Sequence, residues 1–241
     1  RVAAVLLLIM LPIIAYFLGM QKVNGQFAMI ETSAPDGSQL SLVLPDGSRV
    51  RLNSGSTIRY SQGFGISDRR IYLQGEGFFS VKHNERLPLC IVTKDVVLHD
   101  LGTAFKVSNY QEDQQVEISL YEGELSVDNL ISQQKGLAVK PGERIVVNKT
   151  TGQLHKESVK ETMDEGASMN TLYFDNQPLE MIAPVLSRNF GVPIEVDKEV
   201  RSRRFYLIFN KRTSNIEQIL QTMTQTGHVK CRWADGRYRL Y

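Results

Sequence analysis

Between residues 26 and 155 the chain never goes far without a turn. Short runs rich in β-branched and aromatic residues are broken by Gly, Pro, Asn or Asp roughly every 8–12 residues, with no helical period of useful length. Gln39–Leu44 and Arg49–Asn53 flank Pro45-Asp46-Gly47-Ser48, and Asp-Gly between alternating runs is a strong hairpin signal. Further runs follow at Thr57–Tyr60, Arg70–Gln74, Gly77–Lys82, Leu89–Thr93, Val96–His99 and Ala104–Tyr110. The series closes with Val116–Tyr121, Glu124–Asp128, Leu137–Lys140 and Ile145–Asn148. Such punctuation admits little except short strands. It predicts an all-β sandwich or jelly-roll-like domain over 26–155.

The texture changes twice more. Residues 156–170, KESVKETMDEGASMN, are polar and aperiodic and read as a linker. From 171 to 241 the pattern is α+β. Leu172–Phe174 reads as a strand, and Pro178 opens a helix with Leu179, Ile182, Ala183, Leu186 and Phe190 on one face. Pro184 is expected to bend or split it, because proline removes a backbone donor. Gly191 ends this helix and Val192–Val196 is extended. The pattern then repeats: strand Phe205–Phe209, a capping-box spacing at Ser214 and Glu217, and an apolar face of Ile216, Ile219, Leu220 and Met223. Gly227 ends the second helix, Val229–Trp233 is a strand, and Asp235-Gly236 turns into a last one. Two βαβ-like repeats therefore make up a small α+β domain.

Upstream of all this, residues 2–20 carry no charge, and 17 of the 19 are hydrophobic. As a helix they reach about 28 Å, close to the ~30 Å hydrocarbon core of a bilayer. Eleven are Leu, Ile, Val or Phe, which together favour insertion by about 3–6 kcal/mol. A signal peptide has a shorter apolar region and a small-residue cleavage site, neither of which is present. We expect an uncleaved transmembrane anchor over 1–22. Arg1 and Lys22 flank it with one charge each, so charge does not set its orientation. The sequence opens on Arg1 rather than Met, and further residues upstream are expected.

Chemistry-bearing patterns are sparse. A net charge of +2 argues against a nucleic-acid partner. His83, His99, His155 and His228 lack metal-ligand spacing, and Cys90 and Cys231 form no CxxC, so no metal, cofactor or disulfide framework is expected. The one dipeptide worth weighing is Gly102-Thr103. A threonine hydroxyl can attack the carbonyl before it, glycine there permits the strained backbone this needs, and His99 and Asp100 are near enough in sequence to activate it. The competing reading is a tight turn followed by a strand.

Taken in order, LPDGSRVRLNSGSTIRY (Leu44–Tyr60), RRIYLQGEGFFSV (Arg69–Val81), LGTAFKVSNY (Leu101–Tyr110), ISLYEGELSV (Ile118–Val127) and VKPGER (Val139–Arg144) resemble the FecR family of transmembrane anti-sigma regulators. The C-terminal repeat is similar to that family's second periplasmic domain, itself like the short N-terminal domain of secretins and TonB-dependent transducers. The combination is familiar from Bacteroidetes-type members.

The resemblance implies a single-pass inner-membrane protein with a periplasmic C-terminal region. It further implies an extracytoplasmic-function sigma factor bound through residues before Arg1, and a signal received from the signalling domain of an outer-membrane TonB-dependent transporter. Some members cleave themselves at a Gly-Thr bond like Gly102-Thr103. The chain is expected to be no enzyme beyond such a single turnover. For the transporter contact we expect edge-strand pairing through Arg237, Tyr238, Arg239, Leu240 and Tyr241, against the alternative that this strand completes its own sheet. The rival reading of the whole is a membrane-anchored carbohydrate- or peptidoglycan-binding β-sandwich. That would call for exposed aromatic platforms, and the single tryptophan, Trp233, lies outside the β-rich region.

Overall fold

The structure, a computed structural model, describes residues 10–14, 27–158, 169–227 and 229–241. Of the expected anchor only 10–14 is described, as exposed helix, and among the described residues no helix is long and apolar enough to cross a membrane. Residues 159–168 of the expected linker, and His228, lie outside the described residues.

Thirteen strands, β1 (Met29–Ala34) to β13 (Leu154–Ser158), form one curled sheet. The sequence reading expects two strands at Arg70–Gln74 and Gly77–Lys82; the chain makes a single one, β5 (Arg70–Ser80). Its first half pairs with β4 (Ser56–Ser61) and, in parallel, with β6 (Leu89–Val92). Its second half pairs with β3 (Arg49–Leu52) and β8 (Ala104–Asn109). The strand changes partners at Gly75, which has φ +95°, and a Cβ there would lie 2.8 Å from the Ser56 Cα. Only glycine lets the strand turn this corner against its neighbour. β5 thus belongs to both halves of the sheet, and the expected sandwich is one continuous, curled layer.

From β5 one half continues through β6, β7 (Val96–Asp100), β10 (Leu125–Asn129) and β11 (Gln134–Val139). The other continues through β8, β9 (Gln115–Glu122), β12 (Glu143–Asn148) and β13. Both halves feed one core, including Ile58, Ile71, Phe79, Ile91, Leu98, Phe105 and Ile118. Burying each such side chain is worth about 1.5–3 kcal/mol. Phe79 and Phe105 stack with ring centroids 5.2 Å apart. The expected Asp-Gly hairpin joins β2 (Leu40–Val43) to β3, and its Asp46 carboxylate accepts hydrogen bonds from the buried Arg69 guanidinium.

The C-terminal part runs β14 (Thr171–Pro178), α1 (Leu179–Phe190), β15 (Ile194–Val196), β16 (Arg204–Asn210), α2 (Ile216–Gly227), β17 (Cys231–Ala234) and β18 (Arg237–Leu240). The first strands of the two repeats pair with each other as a ribbon, β14–β16. Their last strands lie in a separate sheet, β15-β18-β17. Each repeat therefore sends its strands to two different sheets, and both helices pack on a shared core with Leu172, Phe205 and Leu240. α1 runs unbroken through Pro184, so it is not split there. The capping box of α2 sits one residue later than the spacing suggests. Gln218 N–H donates to Asn215 Oδ1 (2.8 Å), and Asn215 N–H to Gln218 Oε1 (3.1 Å).

Candidate functional site

The Gly102–Thr103 bond lies in the corner between β7 and β8. Gly102 has φ +145°, and a Cβ on it would lie 2.7 Å from the His83 Cα and 2.8 Å from the His83 Nδ1. No other residue fits there. Backbone bonds clamp both sides: Val81 N–H donates to the Thr103 carbonyl (2.8 Å) and Asn84 N–H to that of Leu101 (3.0 Å). The opposite wall is Gly123, whose Cβ would come 2.7 Å from the Gly102 carbonyl oxygen and 2.6 Å from Thr103 Cγ2.

Strand alternation decides which neighbour can act on the bond. His99 points outward, its Nε2 3.2 Å from Asp128 Oδ2, and is not part of the corner. Asp100 points inward and is buried. Its Oδ1 accepts the Gly102 N–H at 2.9 Å. Asp100 Oδ2 and Thr103 Oγ1 are both buried, and neither makes a well-formed hydrogen bond among the described residues. They are still near enough for the hydroxyl to act on the carboxylate. Burial pushes Asp100 above the usual carboxylate range, while the Thr103 hydroxyl and the Gly102 N–H pull it back. The corner thus joins a strained glycine, a buried threonine hydroxyl and the buried carboxylate it faces. Of these, the sequence reading names Gly102, Thr103 and Asp100 but misses His83 and Gly123, which nothing local connects to the bond.

The C-terminal strand is a correction. β18 pairs in parallel with β15 through Tyr238–Leu240 and antiparallel with β17 through Arg237–Leu240, so it is the middle strand. Its backbone groups are committed on both sides, and edge pairing there has nothing to offer a partner. Tyr238 packs against Trp233, with ring centroids 4.7 Å apart, and its hydroxyl donates to Glu217 Oε1. The two most exposed large apolar side chains described in this domain, Tyr206 (70%) and Ile208 (67%), lie on the β14–β16 ribbon with Tyr173 (40%), whereas Trp233 (56%) and Tyr241 (42%) lie apart from it. Ile208 is directly opposite Tyr173, and the outer edges of both ribbon strands carry no strand partner among the described residues.

The two domains meet through Arg188, in the last turn of α1. Its guanidinium donates to both carboxylate oxygens of Asp113 (2.9 and 2.6 Å) and to Glu112 (3.0 Å). Its own backbone carbonyl accepts the Gly37 N–H at 2.8 Å. Lys211 Nζ bridges the domains too, donating to Asn53 Oδ1 and Asn189 Oδ1. Both cysteines are free and half-buried. Among the described residues no group of three His, Cys, Asp or Glu is arranged to hold a metal.

Comparison with known proteins assigns both halves. The family described as "FecR protein" matches residues 29–126, and "FecR, C-terminal" matches 171–240. The chain belongs to the FecR family of anti-sigma regulators. Two crystal structures from Parabacteroides distasonis, each assigned as an anti-sigma factor, share the fold of this FecR protein with a TM-score of 0.80. One is 27% identical, over 89% of this chain and 99% of the other; the second is 28% identical, over 88% and 98%. A search of curated proteins found no match.

Proposed function

We propose that this FecR protein is a single-pass inner-membrane regulator with residues 27–241 in the periplasm. It takes a signal from the signalling domain of an outer-membrane TonB-dependent transporter and passes it to an extracytoplasmic-function sigma factor. The observation that carries this reading is the FecR match followed by the FecR C-terminal match, both downstream of the uncharged run 2–20. The transporter domain docks on the β14–β16 ribbon, where exposed Tyr173, Tyr206 and Ile208 supply apolar anchoring beside free strand edges. Titration of the chain with TonB-dependent transporter signalling domains tests it. Binding should weaken at least tenfold in Tyr206→Ala and Ile208→Asp. A chain that binds glycans and no transporter domain overturns the relay.

The corner at Gly102 supports a second element, self-cleavage. Thr103 Oγ attacks the Gly102 carbonyl carbon, and its proton passes to the Asp100 carboxylate. The C–N bond breaks, the Thr103 nitrogen leaves as an amine carrying that proton, and an ester joins Gly102 to Thr103 Oγ. Water then hydrolyses the ester, leaving a Gly102 carboxylate and a free Thr103 hydroxyl. The supporting observation is the buried Thr103 hydroxyl, close to the Asp100 carboxylate and beside a glycine at φ +145°. Mass spectrometry of purified chain should show fragments ending at Gly102 and starting at Thr103, absent in Thr103→Ala. A wild-type chain that stays intact under signalling conditions removes this element.

A further inference from the structure

The large apolar cores of the two domains do not merge. One draws only on residues 30–154 and the other only on residues 172–240. Among the described residues a single apolar cluster mixes them: Phe78, Tyr121 and Met169, with Ala104 packed against it. Met169 is the first described residue of the C-terminal part and is almost fully buried. Its backbone carbonyl accepts a hydrogen bond from Gln39 Nε2 at 3.0 Å. The other contacts described above are polar, around Arg188 and Lys211. Beside them, among the described residues, lies a cleft of about 840 Å³. Polar interfaces of this kind resemble those of partners that come apart.

The mixed cluster sits on the two strands that hold the Gly102–Thr103 corner. Ala104 follows Thr103 directly and pairs with Glu122, which lies between Tyr121 and Gly123. Methionine, unbranched and flexible, can fill such a gap and leave it again. Phe78, Ala104 and Tyr121 alternate with Phe79, Phe105 and Leu120 of the inner core, so Met169 braces these strands from their outer face, while Thr103 is itself only 5% exposed.

We propose that the C-terminal domain is a releasable latch: the Arg188 clasp holds it on the β domain, and Met169 braces the two strands that hold the Gly102–Thr103 corner until a partner draws the domain away. The cleavage arm of this proposal rests on the self-cleavage reading above; the latch itself does not.

Amide hydrogen exchange by mass spectrometry on the full chain in detergent micelles tests it, on wild type, Arg188→Ala and Met169→Ala. Arg188→Ala should speed exchange at least tenfold in peptides covering 103–107 and 119–123, with β6, β7 and β10 unchanged. Met169→Ala should do the same at 103–107 and 119–123 while the clasp peptides at 110–113 stay protected. Should Arg188→Ala not fold, Met169→Ala carries the test alone. The latch is overturned if exchange rises at 110–113 in Arg188→Ala but stays at the wild-type level around Thr103. It is equally overturned if neither variant changes exchange. Faster exchange with no fragments in any variant upholds the latch and removes the cleavage reading; faster exchange with faster fragment formation upholds both.

Discussion

The Arg188 guanidinium sits over the Tyr110 ring, its central carbon 3.7 Å from the ring centroid, while its nitrogens grip Asp113 and Glu112. The slot is preorganised. The Tyr110 hydroxyl donates to the Ser54 carbonyl, Lys149 Nζ donates to the Tyr110 carbonyl, and Asp113 is itself largely buried. Burial pushes the Asp113 carboxyl up, and Arg188 holds it back toward the charged form. With 9% of its side chain exposed, the arginine is desolvated in a site that matches its planar, forked shape.

Removing one partner of such a pair should therefore be expensive. Arg188→Ala is expected to weaken domain docking by about 3–5 kcal/mol, since it strands the largely buried Asp113 carboxylate. Arg188→Lys should recover less than half of this, because it keeps the charge but loses the fork and the ring contact. A double-mutant cycle with Asp113→Asn, followed by urea unfolding, should return a coupling of at least about 1.5 kcal/mol. Additive single effects would show that the two side chains act separately.

Gly75 offers a cleaner stability test. Gly75→Ala places a methyl group 2.5 Å from Ser56 Oγ and 2.8 Å from the Ser56 backbone, at φ +95°. Backbone strain and overpacking together predict a loss of about 3 kcal/mol in urea unfolding. Gly136→Ala is the control: its φ is +68° with nothing within 4 Å of the new Cβ, so it should lose about 1 kcal/mol. Equal losses would mean that Gly75 matters for its backbone angle alone.

These two sites also mark where the sequence stops being legible. The Asp46-Gly47 hairpin and the apolar faces of both helices are local patterns, and the chain folds as they read. Gly75 is local too, but a glycine between two β-type runs has the same signature whether the chain turns back or bends and continues. The helix cap moved from Ser214 to Asn215 because both side chains can cap and only the folded chain selects one. β18 reads as a last, free strand, yet its place between β15 and β17 depends on pairing with residues 194–196. The corner shows the same division: Gly102, Thr103 and Asp100 are contiguous and legible, whereas His83 and Gly123 reach it only through strand pairing.

Lys211 predicts a pH dependence of known sign. Burial lowers its pKa from an ordinary 10.5 to about 8, against the pull of Glu76 and helped by Lys106 and Arg188. The folded state therefore holds fewer protons than the unfolded state between about pH 8 and 10.5. Stability from this group must rise with pH across that window, by up to about 1 kcal/mol per pH unit, and be level below it. Subtracting the unfolding profile of Lys211→Met from that of wild type should isolate this rise. A flat difference would mean that the lysine stays fully solvated.

The last prediction concerns the base at the corner. Thr103 is a poor nucleophile while its hydroxyl keeps its proton, and Asp100 is the carboxylate near enough to take it. Asp100 Oδ1 already accepts the Gly102 N–H, so Asp100→Asn can preserve that bond and the turn while removing the proton acceptor. If the mechanism holds, fragment formation in Asp100→Asn should slow by about 10²-fold or more, with unfolding little changed. The pH profile carries a sharper signature. Burial raises the Asp100 pKa, so the wild-type rate should climb with pH through a value above the ordinary 3.8 and then level off. That acid limb should vanish in Asp100→Asn, whose side chain does not titrate. Retention of both rate and limb in the variant would falsify Asp100 as the base. His83, the imidazole packed over Gly102, would then be the next group to replace.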